Sequence, residues 1–80
     1  MATATVLTAA DMEKVSIALF DLIGLHSEET DDALVNANDA VCEAWEAIED
    51  ATDPDSRTDA QRAARQAVSR AYAVVSALHG

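Results

Sequence analysis

Residues 31–51 read DDALVNANDAVCEAWEAIEDA. Within them Leu34, Ala37, Val41, Ala44, Ile48 and Ala51 follow one another in alternating steps of three and four, the spacing that sets side chains along one side of an α-helix. The acids avoid that seam. With Leu34 at heptad position a, Asp39 and Glu46 fall at f, Glu43 and Asp50 at c, and Glu49 at b, which predicts an amphipathic helix with an acidic outer stripe.

Working outward, the helix extends back toward residue 28 because Glu28, Glu29, Asp31 and Asp32 crowd its start, where the helix dipole favours negative charge. Ser27, Thr30 or Asp31 can cap it, since short oxygen-bearing side chains satisfy the free N–H groups of the first turn. Beyond residue 51 the run Thr52-Asp53-Pro54-Asp55-Ser56 predicts a turn, because proline disfavours helical geometry in the residue before it. A further helix follows, capped by Ser56 with Asp59 or by Thr58 with Gln61, with its own seam of Ala60, Ala64, Ala67, Ala71, Val74 and Leu78. Two helices of this length joined by a tight turn predict an antiparallel hairpin about 30 to 35 Å long. So much alanine in the seams lets the helices approach closely but supplies little apolar area, and Trp45 and Tyr72 beside them are expected to add bulk.

Upstream, Thr8 with Asp11 reads as a capping box and Gly24 as a left-handed stop. The whole reading is all-α: a three-helix bundle with helices over about 9–23, 28–51 and 57–78, forming a single small helical domain over 1–80. In the first helix Met12, Val15, Leu19 and Leu22 form one stripe, while Ile17, Ala18, Phe20 and Ile23 fill much of the remaining circumference. A helix apolar nearly all round needs cover on more than one side. The hairpin can cover one, so a homodimer is expected, with Ile17, Phe20 and Ile23 as interface anchors.

Eighteen of the forty apolar residues are alanine, and a chain of 80 residues buries only about 60 to 65% of its unfolded surface. Stability from apolar burial alone is therefore slim, which again favours association. Cys42 is the sole cysteine, so no internal disulfide can form, and a reducing, cytoplasmic setting is expected. The densest apolar stretch, Val15 to Leu25, is interrupted by Ser16, Asp21 and Gly24, well short of the roughly 20 residues that span a bilayer.

Charge is distributed one-sidedly. Residues 1–56 hold fourteen of the fifteen carboxylates against Lys14, whereas Arg57, Arg62, Arg65 and Arg70 follow them. At −10 overall, the chain is expected to bind neither phosphate backbones nor anionic membrane surfaces.

Motifs for chemistry are weak. Asp53-x-Asp55 with Asp59 resembles the opening of a calcium loop, but Arg57 stands at a ligand position, Thr58 replaces the turn glycine and Ala64 the closing glutamate. Neither His26 nor His79 follows a glutamate by three residues, the spacing of di-metal helical bundles. Cys42 stands next to Glu43, and a neighbouring acid makes a thiol a poorer nucleophile. No Gly-x-Ser-x-Gly elbow or glycine-rich phosphate loop occurs. No enzyme, metal or cofactor is expected.

Two non-enzymatic functions compete. The leading expectation is a protein-binding module, an inhibitor that docks Asp39, Glu43, Glu46, Glu49 and Asp50 on a basic, nucleic-acid-handling protein. The alternative is a self-assembling structural protein that uses the first helix as its interface. A plain solvated face, partly neutralised by Arg62, Arg65 and Arg70, is the blander account of the acids.

Overall fold

The structure, a computed structural model, describes residues 6–79. Residues 1–5 and Gly80 of the expected domain lie outside the described residues. Three helices follow in order: α1 (Ala9–Leu22), α2 (Glu28–Asp50) and α3 (Pro54–His79). The all-α three-helix bundle expected from the seams is the fold observed, with α2 and α3 packed closely along each other.

Local chemistry explains the ends. The Thr8 hydroxyl accepts the Asp11 N–H at 3.2 Å while the Asp11 carboxylate accepts the Thr8 N–H at 2.9 Å, a complete capping box with aspartate in place of glutamate. After the C-cap Ile23, Gly24 turns at φ +88°, a conformation in which a side chain would be strained. Its N–H donates to Asp31 Oδ1 at 3.0 Å, tying the turn to the first turn of α2. Ser27 is the α2 cap, accepting the Thr30 N–H at 3.3 Å.

The start of α3 corrects the sequence reading. The helix begins at Pro54, not at residue 57, and its cap is Asp53, whose Oδ1 accepts the Ser56 N–H at 2.7 Å. Proline breaks a helix from the interior but suits its first position, where no N–H is needed and its fixed φ is already helical. Thr52-Asp53-Pro54 is thus a stop and a restart in three residues. Ser56 and Thr58 lie within the helix, and the Thr58 hydroxyl donates back to the Pro54 carbonyl at 2.9 Å.

The seams form the core as spaced. Leu34, Ala37, Val41 and Ala44 of α2 and Ala60, Ala64, Ala67 and Ala71 of α3 are buried, with Ile48 and Val74 half-buried beside them. Met12 and Leu19 of α1 are buried with these. Met12, Leu19, Leu34 and Val41 are the largest fully buried side chains, and truncating one such residue to alanine typically costs about 2 to 5 kcal/mol. Trp45 packs on this core, but Tyr72 is 75% exposed. Tyr72 stands one residue after buried Ala71 and so on the flank of α3, outside the seam, which is why it adds no bulk there.

Helix α1 lies chiefly on α2 and touches α3 over a smaller area. The molecule is accordingly a slab of 41 × 30 × 16 Å with a radius of gyration of 13.3 Å, against about 11.6 Å for a compact chain of this length. With α1 set mainly on α2, each helix keeps an outer face.

Candidate functional site

Asp39, Glu43, Glu46, Glu49 and Asp50 are all exposed on α2. Asp39, Glu43, Glu46 and Asp50 recur at steps of four, three and four and so share the face opposite buried Leu34, Ala37, Val41 and Ala44. Glu49 stands four residues after Trp45 and marks the edge of that face. Across its full length α2 holds nine carboxylates and no lysine or arginine.

Among the described residues no arginine of α3 reaches ion-pair distance of these acids. The ion pair present among the described residues joins Arg62 to Asp59 at 3.8 Å within α3, with both side chains largely exposed. An exposed pair of this kind is worth about 0 to 1 kcal/mol. Arg57, Gln61 and Arg65 are spaced four apart along the side of α3 that meets residues 6–9, where Ile48 and Ala51 at the end of α2 share the same cleft. Arg70 and Glu43 line one shallow depression between α2 and α3 without closing to ion-pair distance.

The apolar face of α1 is divided. Ile17 and Phe20 are 53% and 58% exposed. Ile23, the third expected anchor, is half-buried against the core, because it lies eleven residues after Met12 and four after Leu19, on the inward stripe. Val35 of α2, which the sequence reading left out, is 43% exposed. Ser16 bonds Asn38 between the two helices. Phe20 lies four residues after Ser16 and Val35 three before Asn38, so antiparallel helices bring both to one level. The signal that could have found Val35 was its position one turn from Asn38.

A second apolar feature is a groove of about 210 Å³ between α1 and α3, lined by Val15, Ala18, Leu19, Val68, Tyr72 and others. Among titratable groups, Asp11 is held below the ordinary carboxylate range by the hydrogen bond from the Thr8 backbone, with the Thr8 hydroxyl adding to it. Asp53 is lowered by the side chain and then the backbone N–H of Ser56. Both shifts belong to helix caps and not to a reactive centre. Cys42 is a free, half-buried thiol. Among the described residues no three histidine, cysteine or acidic side chains converge as metal ligands, and no helix is long and apolar enough to cross a membrane.

Comparison with known protein families, characterised proteins and solved structures gives no match for this chain.

Proposed function

We propose that this chain is a non-enzymatic protein-binding module whose contact surface is the acidic face of α2. In its most specific form it is a cytoplasmic inhibitor that seats Asp39, Glu43, Glu46, Glu49 and Asp50 on a basic surface of a nucleic-acid-handling protein. The observation that supports it is the exposure of all five carboxylates with no cation of α3 in ion-pair contact among the described residues. Unneutralised charge of one sign on a rigid helix speeds encounter with an oppositely charged surface and rejects like-charged ones. The straight carboxylate ridge offers charges at roughly one-turn intervals, about 5.4 Å apart along the axis.

The test is capture from host lysate by the tagged protein and by its Glu43→Lys/Glu46→Lys form, washed in a salt series. A basic partner held by the first, released at moderate salt and absent from the second is the expected result. Equal retention by both forms removes the acidic face from the reading.

A second reading is favoured by Ile17, Phe20 and Val35, three large apolar side chains exposed on α1 and α2. Burying such a patch against a second copy removes its area from water at about 25 cal/mol per Å², and it makes the protein a homodimer through this face. Phe20→Glu should then yield a smaller particle by sedimentation with unchanged helicity. Identical sedimentation of the two proteins dismisses the dimer.

A further inference from the structure

Three of the five cationic residues of this acidic chain, Arg57, Arg62 and Arg65, line one cleft of about 580 Å³. Its opposite wall is residues 6–8 with Ala9 at the start of α1, and Ile48 and Ala51 at the end of α2 complete the lining. The wall is fixed by a two-point bond. Gln61 Oε1 accepts the Leu7 N–H at 2.8 Å, and Gln61 Nε2 donates to the Leu7 carbonyl at 2.6 Å. A side-chain amide that satisfies both polar groups of one residue holds that backbone in a set place, 54 positions away in sequence.

We infer that this cleft binds a small amphipathic anion, its carboxylate or phosphate head held by Arg57, Arg62 and Arg65 and its apolar body laid on Leu7, Ile48 and Ala51. The cleft volume falls in the range of small-molecule sites, about 300 to 1,000 Å³. Its lining holds both chemistries that such a ligand requires, apolar side chains and guanidinium groups. Arg57 and Arg65 form no ion pair among the described residues, although the chain carries fifteen carboxylates. They are eight residues apart, about 12 Å along the axis, with Arg62 between them in sequence, so their long side chains must converge across the cleft to reach one head group. Guanidinium forks grip carboxylates and phosphates by paired bonds that an ammonium group cannot form. The site is separate from the acidic face of α2 and does not depend on it.

The test follows backbone amide shifts of the full chain by NMR during titration with octanoate, octyl phosphate, neutral octanamide and acetate. Octanoate or octyl phosphate should shift Leu7, Thr58 and Gln61 saturably, and whichever binds more tightly identifies the head group. Octanamide, which lacks the charge, and acetate, which lacks the body, should each bind at least about tenfold more weakly. Arg57→Gln/Arg65→Gln, both at exposed positions, should weaken octanoate by about tenfold or more while spectral dispersion is retained. Glu43→Lys/Glu46→Lys should leave the shifts at Leu7, Thr58 and Gln61 in place. Shifts centred on Val68 and Tyr72, equal binding of octanamide, or indifference to the arginine changes would overturn the inference. A change in sedimentation of the Arg57→Gln/Arg65→Gln protein would also overturn it, because the cleft would then be the seat of a second copy.

Discussion

The Ser16 hydroxyl donates to Asn38 Oδ1 at 2.6 Å between α1 and α2, and both residues are buried, at 7% exposure each. They are the polar members of an otherwise apolar contact that includes Met12, Leu19, Leu34 and Val41. A shift of α1 by one residue or one turn would separate them and leave two buried polar groups without partners, so the bond specifies register as well as strength. Ser16→Ala is expected to cost about 1 to 3 kcal/mol by urea unfolding. Ser16→Ala with Asn38→Ala should cost less than the two single changes added together, with a coupling of about 0.5 to 3 kcal/mol. Strict additivity would show that the pair does not act as a unit.

Gln61 fastens Leu7 to α3, while Thr8 is held separately by its capping box with Asp11. Gln61→Ala should therefore release the Leu7 amide to solvent exchange while amides of Val41 and Ala64 stay protected. The loss in global stability should be about 1 to 2 kcal/mol, two part-buried hydrogen bonds at their usual net worth. Unchanged exchange at Leu7 would mean that packing, not the amide, fixes the segment.

Asp11 and Asp53 have folded pKa values below the ordinary 3.8 because each carboxylate accepts cap hydrogen bonds. A depressed folded pKa gives stability that is present above the unfolded value and is lost as pH falls through the folded one. The loss therefore begins near pH 3.8 and runs below it. From pH 7 down to that point the chain as a whole should gain stability instead, as protonation relieves repulsion in a molecule at −10. Comparing the natural protein with Asp53→Asn isolates the cap, since asparagine caps helices without titrating. Urea midpoints should be close at pH 7, and the asparagine form should lose less between pH 4 and pH 2.5. Parallel acid profiles would rule out Asp53 as a contributor.

How much of this was legible in sequence depends on whether a feature is periodic. The seams of Leu34 to Ala51 and Ala60 to Leu78, the Thr8–Asp11 box and the Gly24 turn each follow from local spacing, and all are found. Pro54 misled because one residue type has opposite effects at a helix interior and at its first position, and only Asp53 in front of it tells them apart. Tyr72 and Ile23 exchanged their expected environments, because a helical wheel gives a side chain's direction but not where the neighbouring helix stops. α1 covers little of α3, so Tyr72 is bare, while Ile23 is drawn onto the core. Asp39, Glu43, Glu46, Glu49 and Asp50 of α2 were legible as exposed. The arginine cleft was not, since it requires residues 6–9 to meet α3 through a contact spanning most of the chain.

The charge layout of α2 makes one further outcome follow. Asp39, Glu43, Glu46 and Asp50 are like charges one turn apart on an exposed face, and pairs at these spacings destabilise a helix by about 0.2 to 0.5 kcal/mol each. No ion pair joins α2 to α3 among the described residues, so relief of this repulsion is expected to outweigh the dipole attraction of Glu28, Glu29 and Asp31 that salt also screens. Added sodium chloride should raise the melting temperature progressively between about 10 mM and 0.5 M, beyond several Debye-length reductions at helix-turn distances. Glu46→Lys places a cation within one turn of Glu43, Glu49 and Asp50, replaces three repulsions by attractions, and should raise the melting temperature at low salt by about 2 to 8 °C, the shift expected of roughly 1 kcal/mol in a domain of this size. The gain should shrink as salt is added. A melting temperature that falls with salt would mean that the acids are engaged by cations in solution after all, and the proposed contact face would then be a neutralised surface with little field to offer a partner.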